Sequence, residues 1–266
     1  MLDEVAARGL VLLGCGKMGS ALLRGWLAGG LPPGAVHVIE PQPSDWLRGT
    51  GAAVNARLPD SPAVALVAVK PQMMGEALPA MAALGGGGTL VLSIAAGTPL
   101  SAFEAAFGVG TPVVRAMPNT PAAIGRGITA VVGNAAASEA HMALAEALLS
   151  TVGEVVCVGS EDQIDAVTGV SGSGPAYVFH LIEALAAAGE AEGLSPDLAL
   201  RLARATVAGA GALAQETGTD PAQLRRDVTS PNGTTQAGLA VLMGELPDLV
   251  GRTVRAATAR ATELRG

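Results

Sequence analysis

The residues best suited to chemistry form a glycine loop that directly follows the apolar run Leu10–Leu13. The loop reads Gly14-Cys15-Gly16-Lys17-Met18-Gly19, and helix-forming residues come after it. Gly14 permits a tight turn, Gly16 lets the backbone approach a pyrophosphate, and Gly19 allows the helix to pack closely on the strand. The helix N-terminus adds unpaired N–H donors. We therefore expect all six loop residues to bind a dinucleotide, with a purely structural strand–helix turn as the alternative.

An acidic residue, Glu40, ends the second predicted strand 21 residues after Gly19. An acid about 20 residues past such a loop commonly holds the adenosine ribose 2′-hydroxyl of NAD. A 2′-phosphate would be repelled at this place, and the next basic residue along the chain is Arg48. The pattern favours NAD over NADP, with a solvated acid at a strand end as the alternative.

Three further predicted strands end in segments that could face the same ligand, because ligands bind outside the carboxyl ends of strands in an open α/β sheet. The segments are Val69-Lys70-Pro71, Ser93-Ile94-Ala95-Ala96-Gly97 and Arg115-Ala116-Met117-Pro118-Asn119-Thr120-Pro121. The small residues of the second segment would let a flat ring approach the backbone. Lys70 and Asn119 offer polar contacts, with a surface lysine and a structural loop as the alternatives.

The composition favours a cytoplasmic protein that binds neither membranes nor nucleic acids. Half of the 266 residues are hydrophobic and the mean hydropathy is +0.44, yet no apolar run reaches the roughly 18 to 20 residues of a membrane span. The acidic start Met1–Glu4 is unlike a signal peptide. A net charge of −7 without a basic patch argues against nucleic acid. Three scattered histidines predict no metal site, and Cys15 and Cys157 predict no disulfide framework.

Residues 1–159 alternate β-rich and helical patterns, which predicts an α/β domain with a Rossmann-type, doubly wound and mostly parallel sheet. The predicted strands are Leu10–Leu13, Ala35–Ile39, Ala65–Val69, Thr89–Ile94, Val113–Arg115, Ile128–Val132 and Glu154–Val158. The predicted helices are Met18–Ala28, Gln72–Leu84, Pro99–Phe107 and Ser138–Leu149. Several strands are apolar throughout, as strands covered on both faces should be.

Residues 160–266 predict a second domain that is all helical. Ser195, Asp220 and Ser230 each stand directly before a proline, as helix caps do before a proline at the first helical position. The segment Pro175–Ala188 is apolar around nearly its whole circumference, which is typical of a bundle centre or a subunit interface. We therefore expect this domain to be buried against a second copy of the chain.

Three longer segments resemble hallmark segments of the pyrroline-5-carboxylate reductase family: Arg115–Pro121, Thr168–Val178 and Val228–Thr235. Together with the glycine loop and Val69-Lys70-Pro71 they span the chain in the family's order. The resemblance implies an oxidoreductase that reduces 1-pyrroline-5-carboxylate to L-proline, the last step of proline biosynthesis, with NADP(H) or NAD(H) as cofactor. It also implies a homodimer interlocked through the helical domain, which in the family often assembles further into rings such as a decamer.

The resemblance assigns roles residue by residue. It implies cofactor contacts at Gly14–Gly19, at Ala68, Val69, Lys70 and Pro71, on the adenine side at Asn55, and near the nicotinamide at Ala95, Ala96 and Gly97. The family's substrate loop matches Ser230–Thr235, with Ser230, Asn232, Gly233, Thr234 and Thr235 as substrate-binding residues. The Thr235 hydroxyl would lie near the ring nitrogen and donate or relay a proton. Ser230 is the second catalytic candidate, and a helix cap is its alternative role.

The sequence departs from the family's pattern at two positions. Asn232 replaces the first glycine of the usual Ser-Pro-Gly-Gly loop, and asparagine tolerates the left-handed backbone better than most residues. Glu40 stands where many relatives carry a small polar residue suited to a 2′-phosphate. The second departure puts the NADPH preference that is common in the family in question for this chain.

A protonated imine is already electrophilic, so the implied reaction requires no metal and no strong acid. Orientation of the hydride donor over the ring can alone contribute on the order of 7 to 11 kcal/mol. A β-hydroxyacid dehydrogenase, another cyclic-imine reductase and a non-enzymatic nucleotide sensor are the alternatives. The first of these usually carries a lysine in its second domain, and no lysine follows Lys70. The sensor rarely carries a second domain with its own capped polar loop.

Overall fold

The computed structural model describes residues 2–265, and its main feature is an eight-stranded sheet. The strands are β1 Leu10–Leu13, β2 Val36–Ile39, β3 Ala53–Val54, β4 Val64–Val67, β5 Leu90–Ser93, β6 Val113–Met117, β7 Gly127–Gly133 and β8 Gly153–Cys157. They lie in the order β3-β2-β1-β4-β5-β6-β7-β8, and all neighbours are parallel except β6 and β7. The order reverses at β1 and β4, where nucleotides bind in such sheets. The predicted Rossmann-type architecture is confirmed.

All seven predicted strands are present, and none of their ends is displaced by more than two residues. The eighth strand, β3, was not predicted because two half-buried residues give no readable pattern. In β1, β4 and β5 every residue is buried. Leu10 and Leu12 belong to one hydrophobic cluster, whereas Val11 and Leu13 belong to another. Because successive side chains point to opposite faces of a sheet, both faces are covered, as predicted.

The helices that accompany the sheet are α1 Leu2–Arg8, α2 Lys17–Ala28, α3 Asp45–Arg48, α4 Met74–Ala77, α5 Leu100–Phe107, α6 Glu139–Leu149 and α7 Gln163–Val167. The prediction of one helix over Gln72–Leu84 was wrong. The segment consists of the 3-10 turn Pro71–Met73, the single α-turn α4 and the 3-10 helix Leu78–Leu84. Pro79 has no N–H to donate and its ring crowds the preceding turn, which disfavours a continuous α-helix through this segment.

The remaining helices are α8 Gly174–Ala191, α9 Pro196–Thr217, α10 Pro221–Asp227 and α11 Thr234–Arg265. The chain divides into two compact units. The sheet unit takes the chain as far as Gly172 together with the segment from Ala257, and the helical unit is Ser173–Ala256. The proline starts predicted for α9 and α10 are confirmed, and the side chain of Asp220 accepts the N–H of Ala222 at 2.7 Å.

The helical unit buries little of its apolar surface within one chain. Its buried cluster consists of Ala186, Ala199 and Ala203, and α11 has no buried residue over its 32 positions. The large apolar side chains that stay exposed include Phe179, Leu181, Leu185, Val241, Leu242 and Leu246. A surface of this kind is typical of a unit that packs against a partner. None of the helices within residues 2–265 has the length and apolar character required to cross a membrane.

Candidate active site

The glycine loop joins β1 to α2 and has the backbone shape of a phosphate-binding loop. Gly14 adopts a φ of +90°, and its N–H donates to the carbonyl of Ile39 at 2.9 Å. A Cβ on Gly19 would overlap the carbonyl oxygen of Gly14, so only glycine allows this approach of helix to strand. A Cβ on Gly16 would meet no atom within 4 Å. The backbone at Gly16 therefore borders open space in front of the N-terminus of α2.

Glu40, at the end of β2, contacts the glycine loop directly. One carboxylate oxygen, Oε2, accepts the N–H of Cys15 at 2.8 Å, and Oε1 accepts the N–H of Gln42 at 3.0 Å. Burial, together with the negative charge of Glu40, raises the pKa of the Cys15 thiol to about 11, although Arg24 acts in the opposite direction. The thiol is therefore neutral at physiological pH, and the polar group that faces the loop is the Glu40 carboxylate.

Asn55 fixes the backbone on which Glu40 stands. Its Nδ2 donates to the Glu40 carbonyl at 2.9 Å and its Oδ1 accepts the Glu40 N–H at 2.9 Å. Asn55 has a left-handed φ of 52° and follows the last residue of β3. A contact of Asn55 with the adenine side of a cofactor stays a prediction, as do the contacts assigned to Ala68, Val69, Lys70 and Pro71.

The ends of β4 and β5 lie beside the loop in the register that the sheet imposes. A Cβ on Gly14 would come within 2.9 Å of Val69 Cγ1 and 3.0 Å of the Ala68 carbonyl oxygen. Lys70 is exposed and precedes the turn Pro71–Met73. The Ala95–Gly97 turn follows β5, with Gly97 at a φ of +69°. The structure thus brings the predicted cofactor segments to the carboxyl edge of the sheet.

Asn119 is predicted to contact the cofactor, but both polar atoms of its side chain form hydrogen bonds with backbone groups of the protein. Its Oδ1 accepts the N–H of Ile128 at 3.0 Å, and its Nδ2 donates to the carbonyl of Ser171 at 3.2 Å. The residue is buried. This amide joins the loop after β6 to β7 and to the segment before α8, and its contact with a cofactor stays a prediction.

In the helical unit, the predicted substrate loop forms a tight turn before α11. Gly233 donates its N–H to the carbonyl of Ser230 at 3.1 Å, and Asn232 has a left-handed φ of 58°. The N–H of Asn232 donates to Gln236 Oε1 at 2.5 Å. Asparagine therefore adopts the backbone conformation that a glycine would provide. The roles of the five loop residues toward a substrate stay predictions.

The prediction that Ser230 caps a helix starting at Pro231 was wrong, because α11 begins at Thr234. The left-handed Asn232 interrupts any helix that Pro231 could start. The carbonyl of Gly233 accepts the N–H of Ala237 at 3.2 Å, so Gly233 is the N-cap residue of α11. Thr234 and Thr235 consequently occupy the first turn of α11, where N–H groups have no partner within the helix.

Two residues that hold these segments were missed by the sequence reasoning. The Gln236 side chain accepts the N–H of Asn232. The N-cap glycine has no side chain to return a bond, so the reciprocal capping pattern is absent and no local signal indicated Gln236. Glu161 accepts the N–H of Leu100 at 2.8 Å and pairs with Arg115 at 2.7 Å. Arg115 lies 46 positions away in the chain, so no local pattern could indicate the second contact.

Comparison with known proteins places this geometry in a family. A model described as pyrroline-5-carboxylate reductase dimerisation matches residues 161–264, and one described as NADP oxidoreductase, coenzyme F420-dependent, matches residues 9–97. A pyrroline-5-carboxylate reductase of Pseudomonas aeruginosa is 39% identical over 262 residues, which cover 96% of each chain. The chain belongs to the pyrroline-5-carboxylate reductase family. A reductase of this family from Synechocystis is 47% identical over 203 residues, covering 76% of this chain and 74% of the relative.

Solved structures of the family extend the match to three dimensions. A pyrroline-5-carboxylate reductase of Coxiella burnetii superposes with a TM-score of 0.91 at 33% identity and covers 97% of this chain and 99% of its own. A Plasmodium falciparum pyrroline carboxylate reductase with NADP bound gives 0.84 at 26% identity, with 97% and 98% covered. The family's fold is therefore present along nearly the whole chain, and the dimerisation model supports an oligomer.

Proposed function

We propose that this protein reduces 1-pyrroline-5-carboxylate to L-proline, with a reduced nicotinamide dinucleotide as the hydride donor. The observation that carries the proposal is the match to a Pseudomonas aeruginosa pyrroline-5-carboxylate reductase over 96% of each chain. The match includes both the unit with the glycine loop and the unit with the substrate loop. When bound, the dinucleotide supplies a hydride to the imine carbon of the protonated ring, and the π electrons of the C=N bond move to nitrogen.

The fit of a dinucleotide rests on the glycine loop. The space around Gly14 and Gly19 is filled by other protein atoms, which a Cβ at either position would meet. A Cβ on Gly16 would instead point into open space. Backbone N–H groups at the N-terminus of a helix bind phosphate oxygens without a charged side chain. We infer that the pyrophosphate lies against Gly16 and the first turn of α2, and that the nicotinamide extends toward the Ala95–Gly97 turn.

We infer that Glu40 favours NADH over NADPH. Its carboxylate lies against the glycine loop and accepts the N–H of Cys15, so an adenosine ribose bound beside the loop would face two carboxylate oxygens. Ribose hydroxyls can donate to these oxygens, whereas a 2′-phosphate would be repelled by them. Arg24 is held in a cation–π contact 3.7 Å from the Trp46 ring centroid, and this contact would have to be given up before the guanidinium could pair with a phosphate.

The substrate is assigned to the turn before α11. The N–H groups of Thr234 and Thr235 lie in the first helical turn and can bind the carboxylate of the substrate. The Thr235 hydroxyl oxygen would then accept the N–H of the protonated ring nitrogen. Once hydride transfer has left a lone pair on that nitrogen, the same hydroxyl could donate a hydrogen bond to it. Thr235 is the residue we assign to catalysis. Ser230, whose carbonyl closes the turn, is assigned to loop shape and substrate contact.

We propose that the working form is a homodimer joined through the helical unit. The exposed apolar residues of α8 and α11 supply the surface that such a dimer would bury. Assembly of dimers into a decamer and a cytoplasmic location stay predictions from the sequence.

A substrate panel tests the proposed function. Initial rates are measured with 1-pyrroline-5-carboxylate and with a six-membered cyclic imine carboxylate, each with NADH and with NADPH. A β-hydroxyacid is assayed with the oxidised cofactors NAD⁺ and NADP⁺. We expect the five-membered imine to give the highest kcat/KM and the β-hydroxyacid to give no turnover. Turnover of the β-hydroxyacid alone would replace the proposal with the dehydrogenase alternative.

A further inference from the structure

The C-terminal end of α11 is fastened to the turn that follows β5, and both belong to the sheet unit. A Cβ on Gly97 would lie 3.0 Å from the carbonyl oxygen of Leu264 and 3.3 Å from its Cβ. Gly97 has a φ of +69°, so it combines left-handed backbone with a close neighbour. The last turn of α11 is therefore packed directly against the Ala95–Gly97 turn.

A cluster of charges holds this end of α11 in place. Arg265 pairs with Asp162 at 2.6 Å and with Asp165 at 3.4 Å, and Thr262 Oγ1 donates to Asp165 Oδ2 at 3.1 Å. The hydrogen bond to Asp162 is the main cause that raises the pKa of the Arg265 guanidinium. Thr262 and Arg265 thus attach α11 to α7 and to the residue before it.

Asp165 makes this attachment stronger than a surface ion pair. Its side chain is 5% exposed, and its Oδ1 is buried and has no hydrogen-bond partner within the described residues. The contacts that offset the burial of this carboxylate are therefore those that Thr262 and Arg265 make with Oδ2. Removing one partner from a buried carboxylate costs far more than breaking an exposed pair.

The same acidic segment also holds the other end of the turn. Glu161 accepts the N–H of Leu100, the first residue of α5, at 2.8 Å. Glu161 is in turn paired with Arg115, which lies in the middle of β6 and whose side chain is only 3% exposed. The backbone from Gly97 to Leu100 is thus held by α11 at one end and by Glu161 at the other.

We propose that Thr262, Leu264 and Arg265 are positioning residues for the hydride-transfer site. They fix the Ala95–Gly97 turn, against which the nicotinamide lies in the function proposed above, and the inference rests on that function. A dinucleotide bound with a shifted nicotinamide ring loses reactivity steeply, because a misplacement of about 1 Å costs on the order of a hundredfold in rate. The adenosine half lies at β1 and β2 and does not depend on this turn.

The test compares a ligand that reaches the turn with one that does not. Arg265→Ala and Thr262→Val are assayed for binding of NADH and of ADP-ribose, which lacks the nicotinamide, and for kcat and KM with 1-pyrroline-5-carboxylate. Arg260→Ala is the matched control, because Arg260 lies on the same helix and pairs with Glu263 at 2.7 Å in an exposed position. Arg265→Lys keeps the charge but cannot place two nitrogens on two carboxylates.

We expect both test variants to lower kcat by about tenfold and to weaken NADH binding, with ADP-ribose affinity unchanged. The Arg260→Ala control should match the wild type, and Arg265→Lys should recover part of the loss. Equal losses of NADH and ADP-ribose affinity with a lower Tm would overturn the proposal in favour of a structural role, and so would wild-type behaviour. The binding comparison needs no turnover, so it decides the proposal even if the wild type does not reduce this substrate.

Discussion

The carboxylate of Glu40 accepts the backbone N–H of Cys15 at 2.8 Å, so the end of β2 is joined to the glycine loop at the place where an adenosine ribose would lie. Asn55 holds the backbone of Glu40 with two hydrogen bonds. The acid is therefore a fixed feature of the loop's surroundings, and its charge should determine which dinucleotide is preferred.

Replacing Glu40 with serine should shift the cofactor preference toward NADPH. Removing the negative charge ends the repulsion of a 2′-phosphate, so we expect the ratio of kcat/KM for NADPH to that for NADH to rise by about tenfold or more. Asp45→Ser, at an exposed acid on α3, is the control and should leave the ratio unchanged. An unchanged ratio in Glu40→Ser would show that the carboxylate does not select the cofactor.

Two glycines of the loop should respond differently to alanine. A Cβ on Gly16 meets nothing within 4 Å, so Gly16→Ala should keep the wild-type Tm and lose about tenfold or more in dinucleotide affinity by occupying the space in front of the phosphate-binding loop. A Cβ on Gly19 overlaps the carbonyl of Gly14, so Gly19→Ala should lower the Tm by several degrees. Thermal unfolding and calorimetric titration measure both effects. Full affinity in Gly16→Ala would contradict the placement of the pyrophosphate.

Both cysteines should react slowly with thiol reagents at neutral pH. The pKa of Cys15 is raised to about 11 by burial and Glu40, and that of Cys157 to about 11, mainly by its hydrogen bond to Glu146. Only the thiolate reacts. The alkylation rate of Cys15, followed in a Cys157→Ser background, should therefore rise about tenfold per pH unit up to pH about 11.

The Glu40 contribution to this pKa can be tested separately. Glu40→Gln removes a charge that opposes ionisation of Cys15, so the alkylation of Cys15 at neutral pH should accelerate. Glu146→Gln should accelerate only the alkylation of Cys157. Bound dinucleotide should protect Cys15. Rapid alkylation of Cys15 in the wild type at neutral pH would be inconsistent with this description of the loop.

The left-handed backbone of Asn232 predicts a graded effect of substitution. Asn232→Gly should leave KM for the substrate close to wild type, because glycine adopts a φ of 58° without strain. Asn232→Val should raise KM by about tenfold, since a β-branched residue at this φ costs on the order of 1 to 3 kcal/mol. If both variants had the same KM, the conformation of this residue would have no part in substrate binding.

Thr235 should matter to turnover and not to dinucleotide binding. Thr235→Ala is expected to lower kcat by roughly a hundredfold, the lower end of what a positioned proton donor contributes, with an unchanged Kd for NADH. Thr253→Ala is the control on the same helix, because the hydroxyl of Thr253 donates to the carbonyl of Leu249 at 2.9 Å. Wild-type kinetics in Thr235→Ala would remove the threonine from the mechanism.

The sequence predicted the sheet well because its strands are short apolar runs covered on both faces, as in β1 and β4. It failed where a pattern was too short or was interrupted. The two residues of β3 carry no periodicity, and Pro79 divides a segment whose apolar spacing alone predicts one helix.

The glycine loop and Glu40 were readable because their spacing is local. The contacts that hold the candidate site could not be predicted from the sequence, because they join distant parts of the chain. Thr262 and Asp165 are 97 positions apart, and Asn119 bonds to Ser171 over 52 positions. A polar residue in a loop gives no sign of whether its amide faces a ligand or another segment, as Asn119 illustrates.

In the proposed reaction, a hydride passes from the dinucleotide to the imine carbon of pyrroline-5-carboxylate. The most direct measurement is a single turnover with a cofactor deuterated at the transferring position of the nicotinamide, followed by mass spectrometry and NMR of the product. We predict L-proline with one deuterium on the ring carbon next to nitrogen, the former imine carbon. Proline without deuterium, or no proline in the presence of both cofactors, would rule out this hydride transfer.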